Sequence, residues 1–280
     1  MTVNCRQLNN KLVHMLTDTI YRYLHPVPKL QSQLKRLVLK LPHRLRLVHH
    51  FGQRLYVNPS ELYGFYLYYE REYDDYIFKF LSTQVKNYST ALVLGANTGI
   101  YTVFLAARIE CVYAFEPEPL VLPQLKANLE LNGLTNVAVC ETCAGKTSGT
   151  VHFIPPTKGN QGVGQITTES DQGVQRSCVS LDDFLGEPLQ EACLIKMDIE
   201  GAEWLALQGG QRVLSQRKAP LSILLEVHPE EIQGLGGTVA KLQYLLESMG
   251  LQVKGLAPTG LESLASGKNF RFRWATSEAL

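Results

Sequence analysis

The chain has 280 residues, is 45% hydrophobic and carries a formal net charge of +1. This composition excludes a disordered, highly charged polypeptide and supports one large domain with an extension. No apolar stretch reaches the roughly 18 residues of a membrane-spanning helix, so no transmembrane segment is expected.

The small net charge hides an asymmetry. Residues 1–50 hold nine Lys or Arg and one acid, Asp18; residues 51–280 hold 18 basic and 25 acidic side chains. Six cysteines are scattered at 5, 111, 140, 143, 178 and 193. Cys140-Glu-Thr-Cys143 has C-x-x-C spacing but no second pair, so reduced thiols are expected rather than zinc or redox chemistry. The N-terminus shows no secretory pattern, and a cytoplasmic location is expected.

Residues 1–54 read as a basic helical extension. Leu8, Leu12, Met15, Leu16, Ile20 and Leu24 fall near i, i+4 spacing, Pro26 and Pro28 interrupt them, and Leu30 to Leu41 mark a second helix. Such an arm packs with its basic face in water, meets an anionic membrane surface or an acidic partner, or serves as an organelle-targeting segment. Residues 55–280 read as the main domain. A tyrosine-rich segment leads into a helix predicted over 69–81.

The stretch 91–119 is the most informative. An apolar strand, Ala91–Leu94, runs into the turn Gly95-Ala96-Asn97-Thr98-Gly99 and then into a helix containing Val103, Leu105 and Ala106. A second strand, Val112–Phe115, ends at Glu116, 21 residues after Gly95, and Pro117 stops it. A glycine turn opening a helix, with a carboxylate about 20 residues on, is how a doubly wound sheet holds an adenosine-bearing ligand. Glycines there let the backbone approach the ligand. A G-x-G-x-x-G fingerprint is absent, because Asn97 and Ile100 stand where glycines are needed. No G-K-[ST] follows either. The spacing favours S-adenosylmethionine, which has no pyrophosphate to cradle, over NAD.

Further along, a helix is predicted over 119–132 and strands over 137–140 and 151–154. The turn 141–144 is placed at the adenine, and the loop 159–164 is glycine-rich. Val179–Leu185 begins another unit, with Asp182 and Asp183 favouring a helix start. Strands Leu194–Asp198 and Leu221–Val227, a helix over 201–214, and a helix over 239–249 follow. The chain closes with a hairpin of 251–256 and 270–275. Strand and helix alternate throughout, so an α/β fold with a mostly parallel sheet is expected. Ligands bind beyond the carboxyl ends of such strands. Asn97, Glu116, Asp198 with Glu200, and Glu226 with His228 all fall there. His228 suits a general base, Asp198 an orienting group, and Glu203 a helix-dipole partner. Asp198, Glu226 and His228 form an alternative set for a divalent cation.

Five segments resemble the FkbM family of S-adenosylmethionine-dependent methyltransferases. They are LVLGANTGIYT at 92–102, YAFEPEPLVLPQLKANLELNGLTNV at 113–137, VSLDDFL at 179–185, LIKMDIEGAEWLALQGG at 194–210 and LLEVHP at 224–229. Leu94 and Thr98 depart from the family's common residues. The resemblance spans about residues 55 to 275. It implies a Rossmann-like class I sandwich, with a mostly parallel seven-stranded sheet and a terminal antiparallel hairpin. It also implies S-adenosyl-L-methionine contacts at Glu70, Gly95, Ala96, Asn97, Gly99, Thr102, Glu116, Pro117, Cys143, Ala144 and Asp198. Catalysis falls to His228, Asp198, Glu200 and Glu226, and the expected reaction is O-methylation of a hydroxyl on a small molecule or glycan. A scaffold that keeps the cofactor fold, and an NAD-dependent oxidoreductase, are the rivals. The acidic main domain argues against a nucleic-acid acceptor.

Overall fold

In a computed structural model, residues 15–21, 28–41, 44–157, 160, 162–169, 172–266 and 270–277 are described. The expectations for Cys5, Leu8, Leu12, Leu24 and Pro26, and for Gly159 and Gln161 of the glycine-rich loop, lie outside them. The chain divides into two compact units, residues 1–74 with 157–161, and residues 75–156 with 162–280. The sequence expectation placed this division at 54/55. Among the described residues no helix is long and apolar enough to cross a membrane.

In the first unit, residues 15–21 and Pro28–Val38 are helical. Proline suits a first helical turn, where its missing N–H has no partner to lose. Tyr21, Leu34, Val38 and Phe65 form a small core, with the Tyr21 and Phe65 rings edge to face at 5.3 Å. The expected all-helical arm instead ends in a hairpin of β1 (Arg46–His50) and β2 (Gln53–Val57). Phe51 (φ 46°) and Gly52 (φ 81°) turn it. Two consecutive positive-φ residues match the twist of paired strands.

The helix predicted over 69–81 is also corrected. A π-helical turn covers Tyr66–Glu70, Arg71 (φ 58°) and Asp74 (φ 50°) are left-handed, and a fresh helix runs over Asp75–Gln84. Left-handed residues cannot continue a right-handed helix. Tyr69 donates to Asp18 at 2.6 Å and Tyr21 donates to Glu70, tying this turn to the first unit.

The second unit is built on an eight-stranded sheet. Its strands are β3 (Thr90–Leu94), β4 (Cys111–Phe115), β5 (Val137–Cys140), β10 (Cys193–Met197), β11 (Leu221–Glu226), β12 (Gln252–Ala257), β13 (Gly260–Glu262) and β14 (Phe272–Thr276), in the order β13-β12-β14-β11-β10-β3-β4-β5. A smaller sheet has the order β6-β9-β7-β8, from β6 (Cys143–Gly145), β7 (Gly149–Ile154), β8 (Gln165–Thr167) and β9 (Val174–Ser180). The seven expected strands of the main sheet gain one, the short β13. β14 runs antiparallel to both β11 and β12 and lies between them. The expected hairpin therefore opens around β13 rather than closing directly.

β3, β10 and β11 are buried along almost their whole length, as continuous apolar runs require when both faces are covered. The helix predicted over 201–214 is two helices, Glu203–Gly209 and Gln211–Ser215. A Cβ at Gly210 would press on Leu181 at 3.0 Å, so the break lets the chain pass closely. Ser180 caps the Leu181–Leu185 helix by accepting from the Asp183 amide at 3.1 Å.

Candidate active site

Four neighbouring parallel strands, β11, β10, β3 and β4, end together. Met197 is level with both Leu94 and Leu225, and Leu94 with Phe115. The next residues, Glu226, Asp198, Gly95 and Glu116, therefore share one edge. Asp198 N donates to Leu94 O at 3.1 Å, and Gly95 N donates to Phe115 O at 3.0 Å, so the register persists past the strands.

The glycine turn differs from expectation in its cause. A Cβ on Gly95 would stand 1.9 Å from the Asp198 carbonyl oxygen, and one on Gly99 2.7 Å from Leu125 Cδ1. Both glycines have positive φ, 82° and 94°. The neighbouring backbone and Leu125, not an approaching ligand, already require glycine here. Asn97 is left-handed at φ 48°; its amide donates to Glu116 Oε2 at 2.7 Å, and its own side-chain oxygen accepts from the Thr98 amide at 2.7 Å. Glu116 Oε1 accepts from the Glu118 amide at 2.9 Å. Burial lifts the Glu116 carboxyl to about 7, although these two amides pull the other way. Each oxygen keeps a lone pair for a hydroxyl donor. That pair of acceptors fits the two ribose hydroxyls of an adenosine.

The other expected cofactor residues are distributed as follows. Ala96 is buried and Pro117 half-buried in the turns around Glu116. Thr102 is fully buried on the Ile100–Ala106 helix, and its hydroxyl has no partner. Cys143 and Ala144 are buried in β6, where Cys143 is level with Cys178. Burial, then Cys178 and Glu116, push the Cys143 thiol up to about 12, which keeps it protonated. Cys140 closes β5 in the other sheet, so the C-x-x-C pair is split between two sheets. Glu70 belongs to the first unit, where it accepts from Tyr21.

Across the edge, β10 and β11 supply a dense ionic cluster. Lys196 Nζ lies 3.2 Å from Asp198 Oδ2. His228 Nε2 lies 3.5 Å from Asp198 Oδ1 and 3.8 Å from Glu226 Oε1, and its Nδ1 lies 3.4 Å from Glu200 Oε2. Arg271 donates to Glu226 Oε1. The structure thus brings Asp198, Glu200, Glu226 and His228 together as the sequence reading expected. It adds three residues that reading left out of the site. Lys196 is 2% exposed, and its ammonium sits 4.6 Å from the Tyr101 ring centroid. Glu203 is fully buried and accepts from the Ile199 amide at 2.9 Å. Arg271 comes from the strand return. A lysine inside the apolar run LIKM, two residues before Asp198 and so on its face, was the readable signal for Lys196.

The local backbone holds these groups in place. Glu200 is left-handed at φ 50° and Gly201 follows at φ 97°. A Cβ at Gly201 would meet Glu231 Cβ at 2.4 Å. Glu203 closes the turn through the Ile199 amide. Left-handed non-glycine residues cost of order 1–3 kcal/mol each and persist where their surroundings over-determine them.

The charges set the titration. Burial works against an ionised Asp198, but Lys196 and His228 hold its carboxyl well below the usual range. Burial lifts Glu200 to about 7; His228 opposes this, while Asp198, Glu226 and Glu203 add to it. Burial also lifts Glu203 to about 7, against the Ile199 amide. Burial and then Asp198 raise Glu226, against Lys196 and Arg271. Burial disfavours a charged His228, but Asp198, Glu200 and Glu203 outweigh it and raise the imidazole to about 9.

The Methyltransferase FkbM domain matches residues 94–252, which contain the whole edge except Arg271. No curated protein matches the chain by sequence. Among solved structures, the methyltransferase FkbM of Methylobacillus flagellatus is 20% identical, with a TM-score of 0.43; the match covers 68% of this chain and 44% of that one, so this chain spans under half of its length. The M. jannaschii TYW2 in complex with AdoMet is 13% identical, with a TM-score of 0.43 over 85% of this chain and 89% of that one. An rRNA methylase of Streptococcus thermophilus is 14% identical, with a TM-score of 0.39 over 71% and 92%.

Proposed function

We infer the reaction from one premise: the chain belongs to the FkbM family of S-adenosylmethionine-dependent methyltransferases. We propose that it methylates a hydroxyl on a small molecule or glycan. The observation that carries this reading is the Glu200–His228–Asp198 line beside the glycine turn. It is a proton-handling group set at the carboxyl edge of a sheet, where a methyl acceptor would sit.

S-adenosylmethionine, when bound, supplies a methyl group already activated by its sulfonium. The chain's own tasks are alignment and proton removal. Glu116 offers the ribose hydroxyls its two remaining lone pairs. Asp198 stays anionic at neutral pH, because Lys196 and His228 hold its carboxyl down. It suits a cationic group of the cofactor or an acceptor hydroxyl that needs orienting.

His228 was the expected general base. At about 9 it is an imidazolium at neutral pH, with no lone pair to give. Glu200, at about 7, is the group poised for proton transfer. In this reading the acceptor hydroxyl yields its proton to Glu200. His228, 3.4 Å away through Nδ1, fixes that carboxylate and balances its charge.

A divalent cation fits this site poorly. Ligand atoms of Asp198, Glu226 and His228 lie within 4.8 Å of one another. However, Lys196 and Arg271 already occupy the two carboxylates, and the imidazole would have to lose its proton first. We therefore read the cluster as ion-paired and metal-free.

The test is titration with S-adenosylhomocysteine, with NAD as control, followed by transfer of labelled methyl to a panel of hydroxylated acceptors in the presence of a chelator. Binding of the first ligand alone, and chelator-resistant transfer to an oxygen, are expected. Binding of neither ligand would favour a non-catalytic scaffold. Transfer to nitrogen or carbon would remove the O-methylation reading.

A further inference from the structure

Large apolar side chains are exposed unevenly. Of the ten exposed ones among the described residues, seven fall between Met15 and Tyr66. On the 15–21 helix, Thr17 and Tyr21 face inward, while Leu16 and Ile20, one turn apart, are 51% and 42% exposed. On the Pro28–Val38 helix, Leu34 and Val38 are buried, and Arg36 and Leu37 are exposed, followed by exposed Lys40. In the hairpin, Leu47 stands opposite Tyr56 and His49 opposite Arg54. Leu47, His49 and Arg54 are exposed on that face, and Leu45 continues it. The inward faces of these elements are already used by the Tyr21–Leu34–Val38–Phe65 core and by the Arg46–Asp18 pair at 3.0 Å. The apolar outward residues are therefore not part of that core.

The charge around them has one sign. Residues 1–69 contain ten Lys or Arg and two acids, Asp18 and Glu61. Asp18 accepts from Arg46 and Tyr69, and Glu61 is fully buried. No acidic side chain of the described residues 15–69 is exposed; the first exposed one is Glu72. The remaining residues, 70–280, hold 17 basic and 24 acidic side chains, so the net positive charge is concentrated in residues 1–69.

We propose that the exposed residues Leu16, Ile20, Leu37 and Leu47, with Arg36, Lys40 and Arg54, together dock this region on an anionic lipid surface. Basic side chains find headgroup phosphates, and apolar side chains between them enter the boundary between headgroups and acyl chains. Long cationic side chains let their stems follow the apolar layer while the charge stays at the phosphates. A purely phosphate-reading surface, as for RNA, has no use for exposed leucine and isoleucine at these positions. The acidic remainder of the chain would be repelled by the same membrane.

The test is flotation of the full-length protein with vesicles of phosphatidylcholine alone, and of phosphatidylcholine with about 30% phosphatidylserine. At least about tenfold more bound protein is expected on the anionic vesicles, with loss in about 0.5 M salt. Arg36→Glu/Lys40→Glu/Arg54→Glu should bring binding down to the neutral-vesicle level. Leu16→Ser/Ile20→Ser/Leu47→Ser, which keeps every charge, should lower it about tenfold. All six side chains are exposed, and an unchanged circular dichroism spectrum verifies folding. Equal binding to both vesicle types, or to neither, overturns the proposal. So does binding to single-stranded RNA that the serine variant leaves intact.

Discussion

The two ends of the central sheet are built on opposite principles. At the carboxyl end, Asp198, Glu200, Glu203, Glu226, His228, Lys196 and Arg271 crowd together, and four of the carboxyl or imidazole groups among them have raised pKa values. Left-handed Asn97 and Glu200 lie at the same end. At the amino end, a chain of neutral hydroxyls is buried between strands. Tyr88 donates to Ser222 at 2.6 Å, Ser222 donates to Thr276 at 2.6 Å, and Leu221 N donates to Ser277 Oγ at 2.9 Å. Tyr88, Ser222 and Thr276 are all buried. One sheet thus carries crowded charge at its carboxyl end and hydrogen-bonded hydroxyls at its amino end. Strain and unbalanced charge gathered at one end of a fold point to function there, because stability alone would remove them.

Glu200 is the group on which the carboxyl end depends most. If the carboxyl end is a proton-handling site, Glu200→Gln keeps the shape and removes the base. Turnover should fall about 10²–10⁴-fold with little change in S-adenosylhomocysteine affinity. In the native protein, kcat should rise through about pH 7 as Glu200 ionises and fall through about pH 9 as His228 loses its charge. The variant should lose the rising limb. A native profile that rises only near pH 9 would return the base role to His228.

Gly95→Ala tests whether the strain is structural. The added methyl meets the Asp198 carbonyl, and φ of 82° is unfavourable for alanine. Overpacking costs about 1–3 kcal/mol and a left-handed residue about 1–2 kcal/mol more. Chemical denaturation should therefore show a loss of about 3 kcal/mol, with cofactor affinity falling alongside it because Asp198 shifts. Unchanged stability with lost affinity would mean that the glycine serves the ligand first.

Much of this end was legible in the sequence. Apolar runs closed by Gly95, Glu116, Asp198 and Glu226 announce strand ends, and alternating strands and helices place those ends on one edge. Three things were hidden. Its spacing puts Lys196 on the face of Asp198, but only the sheet shows its burial, its 3.2 Å approach to Asp198 and its place 4.6 Å from the Tyr101 ring. Arg271 reaches Glu226 from 45 residues away because β14 inserts between β11 and β12. His228 as a neutral base was the natural reading of an isolated imidazole. Asp198, Glu200 and Glu203, all from the turn after β10, keep it charged. In the first unit, the helical period of residues 8–41 hid the hairpin that follows. Its signal was Phe51-Gly52 between the alternating residues 45–49 and 53–57, a weaker turn pair than Asn-Gly.

The amino end offers the quietest prediction and the needed contrast. Tyr88→Phe removes one hydroxyl from the Tyr88–Ser222–Thr276 chain and leaves the Ser222 oxygen without its donor. Ser222 still donates to Thr276, so the loss is one net hydrogen bond, about 1 kcal/mol. Thermal or chemical denaturation should register that loss. Turnover, its pH profile and cofactor affinity should stay as they were, because these hydroxyls lie at the opposite end of β11 from Glu226. A shifted pH profile in Tyr88→Phe would mean that the two ends communicate through β11, whose first residues carry Ser222 and whose last is Glu226. The division between a neutral, satisfied end and a charged, strained one would then have to give way to a single coupled network.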